Sequence, residues 1–216
     1  MKVMRETALA TAEERQALIA SLPTRLNDVL HMWVRETPDL PVIYAGPDIF
    51  SYADLGRGVE AATAILRDAG LRAGDRALLI MENSFAGVCC LYAIMALDAW
   101  AVLANSRLTV RERDVMIDKA QPRLIVCVIG DKPETHDLAP VGSSGHRGTA
   151  CGTFAVSTAD PSVLPEPVPD RTDEQVAVML FTSGTTGVPK AAMLGHKSLM
   201  YQSSILSERR GFGPGD

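Results

Sequence analysis

From residue 77 to 128 the chain alternates short apolar runs with longer segments of helical period, and this alternation leaves few folds open. Residues 77–81, 100–104 and 123–128 are apolar runs of strand length bounded by polar residues. Between the first two lies segment 85–97, which is apolar nearly all round, as in a helix buried on several sides. Between the second and third, Thr109 with Glu112 three residues on has the form of a capping box, opening a helix to about Ala120. Strands apolar on both faces and joined through helices predict an α/β fold, a parallel-rich sheet with helices on both faces.

The preceding residues read as an outer layer. A short helix with sparse apolar positions is expected over 5–20. Thr24 is expected to cap a second helix whose Leu26, Val29, Leu30 and Trp33 share one face. Pro38 ends that helix. Residues 41–44 and 49–50 read as a hairpin turning at Gly46-Pro47-Asp48. Ser51 and Asp54 then make a capping box, followed by a buried face of Leu55, Val59, Ala62, Ile65 and Leu66 that stops at Gly70. Residues 130–175 are rich in Gly, Pro, Ser, Thr and Asp, with one strand expected at 153–156. This segment is expected to be a loop-rich surface excursion.

A second apolar run, 176–180, leads into Phe181-Thr182-Ser183-Gly184-Thr185-Thr186-Gly187-Val188-Pro189-Lys190. Glycines let backbone N–H groups turn toward an anion, hydroxyls add donors, and Lys190 adds a compact positive charge. A phosphate-binding loop and a solvated Ser/Thr/Gly turn both fit this composition. The order of residues excludes two common nucleotide loops. G-x-x-x-x-G-K-[ST] fails because Gly184 and Gly187 are too close, Pro189 intervenes, and no Ser or Thr follows Lys190. G-x-G-x-x-G is absent as well. After Lys190, four apolar residues reach Gly195, too few for a stable helix. A second strand is therefore expected at 191–194, antiparallel to the first, with a final helix from His196 or Ser198 to about Arg210.

Charge and composition narrow the function. A net charge of -5 implies no broad basic surface for nucleic acid. Cys89, Cys90, Cys127 and Cys151 lack metal-ligand spacing and read as reduced thiols. His31, His136 and His146 lack clustered ligands, so no metal site is expected among them. The start is charged rather than signal-like, and the apolar run at 85–97 is shorter than the roughly 20 residues that span a bilayer. A cytoplasmic protein is expected.

The run from Thr182 to Lys190 closely resembles the T-S-G-T-T-G-x-P-K signature of the AMP-forming adenylating enzymes: acyl-CoA synthetases, luciferases and peptide-synthetase adenylation domains. Phe50 to Leu55, Gly74-Asp75-Arg76 and Asn105 to Thr109 resemble the same family, so the likeness covers most of the chain from about residue 24. Two departures lie beside the signature: Ala191 where the family usually has Gly, and Gly195 before His196 where it usually has Thr.

The resemblance implies a two-step reaction, ATP-dependent acyl-adenylate formation and then transfer to a thiol. It implies ATP, magnesium and coenzyme A as cofactors, a small-molecule carboxylic acid as substrate, and no nucleic-acid partner. Thr182, Ser183, Gly184, Thr185, Thr186 and Gly187 are implied as the phosphate cradle, and Lys190 as the catalytic charge on the leaving phosphates. The family's adenine, ribose and magnesium contacts and its C-terminal domain have no counterpart here. Residues 1–216 therefore read as an N-terminal portion, expected to be inactive alone, whose missing C-terminal part is its first partner. The expected whole enzyme is a fatty acyl-CoA synthetase. An amino-acid or aryl-acid adenylation domain and a stand-alone non-catalytic binding module are the alternatives.

Overall fold

The computed structural model describes residues 12–129, 143–171, 174–182 and 190–210. Its centre is a seven-stranded sheet in the order β6-β7-β5-β3-β4-β8-β9. The strands are β3 (Arg76–Met81), β4 (Trp100–Asn105), β5 (Leu124–Val128), β6 (Ser144–Thr149), β7 (Gly152–Thr158), β8 (Val176–Thr182) and β9 (Lys190–Gly195). β5, β3, β4 and β8 run parallel; β7, β6 and β9 are antiparallel to their neighbours. A separate hairpin joins β1 (Pro41–Ala45) to β2 (Asp48–Ser51), turning through Gly46 at φ +63°.

Helices cover both faces, as the continuous apolar strands require. On one face, α2 (Leu26–Glu36), α3 (Tyr52–Asp68) and α4 (Phe85–Ala96) bury Leu30, Leu55, Ala62, Leu66, Cys90 and Ile94 against Leu79, Ala101 and Val126. On the other, α5 (Val110–Ala120) sets Met116 and Ala120 on Leu78, Ile80 and Val102. Consecutive residues of β3 thus feed two separate cores. α6 (His196–Arg210) adds Leu199 to the first core, and α1 (Ala12–Ser21) packs on α6.

Local chemistry sets the helix ends. Ser51 Oγ accepts the Asp54 N–H at 3.2 Å, and Asp54 accepts the Ser51 N–H at 2.9 Å. Thr109 and Glu112 repeat that reciprocal box at α5. Both carboxyls are held below their ordinary range by these hydrogen bonds. At α2 the expected Thr24 cap is displaced by one residue. Arg25 occupies the cap position, and the Asp28 carboxylate takes both the Arg25 N–H and the Thr24 hydroxyl.

One further expectation needs correction, and one is covered only in part. Of the first helix, expected over 5–20, the described part is Ala12–Ser21, and residues 5–11 lie outside the described residues. The excursion 130–175 contains a hairpin, β6–β7, rather than a single strand. β6 reads Ser-Gly-His-Arg-Gly-Thr, with no apolar alternation, and it joins the sheet at the edge by backbone pairing with β7.

The amino-terminal edge of the sheet is closed by a strap from Ala159 to Arg171. Arg123 Nη1 donates to the Pro161 carbonyl at 3.0 Å, and Arg72 Nη2 to that of Val163 at 3.2 Å. Arg76 pairs with Glu166. The Glu166 N–H donates to the Gly74 carbonyl at 2.9 Å. Beneath the strap, Asp75 is 1% exposed and accepts from the Arg72 N–H at 2.8 Å, with the Arg72 and Arg123 guanidiniums beside it.

Candidate functional site

β3, β4 and β8 are parallel, so their carboxyl ends lie along one edge of the sheet, opposite the strap. Met81 pairs with Asn105, and Leu103 with Leu180. α4 leaves β3 toward one face and α5 leaves β4 toward the other. Adjacent strands whose connections diverge in this way open a crevice beyond their carboxyl ends, the usual ligand position in such sheets. Here the crevice has a volume of about 350 Å³ and is lined by Met81, Glu82, Asn83, Asn105 and Arg107.

Its walls are ordered by short-range bonds. Ser106 Oγ donates to Glu82 Oε1 at 3.0 Å, and Asn105 Oδ1 accepts the Arg107 N–H at 2.9 Å. Ser84 Oγ accepts the Gly87 N–H at 3.1 Å at the start of α4. A side chain at Gly87 would press within 3.1 Å of the Glu82 carbonyl and 2.7 Å of Met81 Cε, so glycine lets the helix start directly against the strand end.

The Ser/Thr/Gly run leaves this same edge one strand over. β8 and β9 are antiparallel, with Phe181 opposite Ala191 and Thr182 opposite Lys190. Thr182 Oγ1 lies 3.4 Å from the Lys190 carbonyl, and both residues are exposed. The expected strand after the lysine is thus present, extended to Lys190–Gly195. Ser183, Gly184, Thr185, Thr186 and Gly187 lie outside the described residues, as does His136. Two of the expected site residues, Thr182 and Lys190, are therefore brought together as the two posts of the hairpin.

Sequence reasoning missed Glu82, Asn83 and Arg107 as site-lining residues. In the sequence the segment from Asn105 to Thr109 carries only a family likeness, because the crevice exists only once strand order is known. It also missed His196, the first residue of α6, which is 1% exposed. His196 Nδ1 accepts the Leu26 N–H at 3.3 Å, and its backbone N–H donates to the Gln175 carbonyl at 3.2 Å. It thereby ties the base of the β8–β9 hairpin to the start of α2. Burial, reinforced by the Arg25 guanidinium and opposed by Asp98 and Asp28, pushes its imidazole down to about 4.

Burial likewise pushes the Cys89 and Cys127 thiols up to about 12 and 11. These thiols are poor nucleophiles at neutral pH. Among the described residues no helix is long and apolar enough to cross a membrane.

The fold and the hairpin define an α/β protein that holds a hydroxyl- and glycine-rich loop at the carboxyl edge of its sheet. The chain belongs to the AMP-binding enzyme family of adenylate-forming ligases, whose profile matches residues 30–216. Similar proteins include the hybrid PKS-NRPS synthetase pvhA of Talaromyces variabilis. It is 31% identical over 157 residues, which are 73% of this chain and 4% of that protein. A 3-hydroxybenzoate–CoA ligase of Aromatoleum sp. (strain CIB) is 27% identical over 188 residues, covering 82% of this chain and 35% of the ligase. The crystal structure of VinN matches with a TM-score of 0.65 at 20% identity, over 89% of this chain and 51% of that one, a likeness of fold. The chain thus spans about half of VinN and smaller shares of the two relatives.

Proposed function

We propose that the chain is the amino-terminal portion of an enzyme that activates an amino acid or an aryl acid with ATP, for transfer to a thiol. The observation that carries this reading is the antiparallel hairpin that sets Thr182 and Lys190 side by side at the carboxyl edge, with the signature loop between them. The expectation of a fatty acyl substrate draws no support from the relatives. Several are nonribosomal peptide synthetases, and one is an aryl–CoA ligase.

In the first step a carboxylate oxygen forms a bond to the α-phosphorus of ATP. The bond from that phosphorus to the bridging oxygen breaks, and pyrophosphate leaves with the electron pair. Negative charge grows on the departing phosphates. In this reading the hydroxyls of Thr182, Ser183, Thr185 and Thr186 and the backbone N–H groups of Gly184 and Gly187 donate to it, and the Lys190 ammonium offsets it. In the second step a thiolate attacks the acyl carbon and AMP leaves. The thiol belongs to coenzyme A or to a carrier-bound group.

Magnesium accompanies ATP in such chemistry. Among the described residues no group of three or more His, Cys, Asp or Glu side chains is placed to hold a metal ion. The described residues do not form its site. The remaining contacts to nucleotide and acid are assigned to the part of the enzyme beyond this chain.

The test is carboxylate-dependent ATP–pyrophosphate exchange by the complete enzyme across amino acids, benzoates and fatty acids. Exchange is expected with an amino or aryl acid. Exchange with fatty acids alone, or with no carboxylate, overturns the reading.

A further inference from the structure

A cavity of about 230 Å³ lies on the far side of α4 from the sheet, between α2, the β1–β2 hairpin and α3. We propose that it binds a small, uncharged, planar aromatic molecule carrying one hydroxyl or N–H group, such as a phenol or an indole. This site is separate from the hairpin loop and does not rest on the proposed reaction.

Three observations converge on this ligand class. The first is size. The space is half-open to solvent, and its volume exceeds the roughly 150 Å³ that holds a benzene ring in an enclosed apolar cavity. The second is the lining. Val42, Leu55 and Val88 form apolar walls, and Trp33 stacks on Tyr52 with ring centroids 5.8 Å apart and planes inclined by 21°. Among the described residues no charged side chain lines the cavity, so a charged ligand would lose its hydration without a partner. The third is polarity. Tyr52 and Tyr92 both line the cavity, and among the described residues neither hydroxyl has a hydrogen-bond partner. The two phenols are close enough that, after burial, Tyr52 is the second influence raising the Tyr92 hydroxyl above its ordinary range. They supply a neutral donor and acceptor pair beside an aromatic wall, which matches one hydroxyl or N–H on a flat ring.

The walls are also held in place before any ligand arrives. Asn27, buried in α2, donates from Nδ2 to the Tyr92 carbonyl at 3.1 Å and fixes the spacing of α2 and α4. Tyr52 is the first residue of the capped helix α3, and its N–H donates to the Leu40 carbonyl at 3.1 Å. A cavity whose sides are pinned by the fold loses little order on binding, which favours even a fragment-sized ligand.

The experiment is titration of the full chain with phenol and with toluene, followed by ligand-observed NMR. For a ligand of this size a dissociation constant near ~1 mM is expected for phenol, with toluene weaker. Val88→Phe and Val42→Phe fill the space from opposite sides. Each is expected to weaken phenol at least tenfold while circular dichroism is unchanged; two variants guard against one failing to fold. Tyr52→Phe combined with Tyr92→Phe is expected to abolish the preference for phenol and leave toluene binding unaltered. Lack of saturable wild-type binding at ten times the expected constant overturns the proposal. So does full binding by both filled variants. Binding that appears only after deletion of residues 1–11 also overturns it, since the chain's own start would then be the occupant.

Discussion

Lys190 stands where the loop returns to the sheet, opposite Thr182. Its ammonium is assigned to a leaving group that exists only in the first half-reaction. Lys190→Ala in the complete enzyme is therefore expected to raise the adenylation barrier by ~2.7–4 kcal/mol. Thioester formation from supplied acyl-adenylate should change far less. Single-turnover measurement of the two steps checks this, and equal losses in both would remove the assignment. His196, six residues on, makes a prediction about pH. Its folded pKa, about 4, lies below the ordinary 6.5, so the unfolded chain binds the extra proton first. Its contribution to stability is complete above about pH 6.5 and is lost as pH falls toward 4, at a slope of up to ~1.4 kcal/mol per pH unit. Urea unfolding from pH 7 to pH 4 should show this slope, and His196→Gln should flatten it.

Among the elements, the capped helices and the buried strands were legible in sequence because each is specified locally. Ser51 and Asp54 meet three residues apart, and β5 is buried along its whole length. Ser51→Ala should cost about 1 kcal/mol, read from chemical denaturation. The β8–β9 hairpin was legible for a different reason, since Gly195 leaves too few residues for a helix. β6 was not legible, because its side chains contribute no pattern and its partner strand supplies the register. The strap was invisible for a related reason. It is held by arginine contacts to the Pro161 and Val163 carbonyls and by the backbone of Glu166, none of which leaves a periodic signal. Its tightest point is Gly74, at φ +79°, where a side chain would stand 2.0 Å from the Glu166 carbonyl oxygen. Gly74→Ala combines this collision with a left-handed backbone, and a loss of at least ~2 kcal/mol is expected. For a chain of this size that lowers Tm by roughly 4–8 °C, which calorimetry can read.

At the scale of the molecule, the candidate site could be read from the sequence only as a loop. The crevice formed by Glu82, Asn83, Asn105 and Arg107 needed the order of strands, which brings segments more than twenty residues apart to one edge. The same order predicts a gradient of stability. β5, β3 and β4 sit between neighbours and are nearly free of solvent, whereas β6 and β9 are edges. Hydrogen exchange should be slowest in 77–80, 101–104 and 124–128 and fastest among the strands in 144–149 and 190–195. Equal protection across the sheet would contradict this ordering.

The strap has a consequence for inheritance. The sheet keeps its bracing at one end and the candidate site at the other, so on the proposed function sequence changes at the two ends reach the cell by different routes. A variant at Gly74, Asp75 or Arg123 leaves the chemistry intact but enlarges the unfolded fraction, and proteases remove that fraction. Its bearer has less protein of normal quality, a deficit that cooler growth or extra gene copies can restore. With Lys190 in its proposed role, a variant there yields a full complement of protein that works slowly, and no gain in quantity of that order is within a cell's reach. Two carriers with the same loss of flux would thus differ in whether raising expression helps them, and the position of the change along the strands tells which is which.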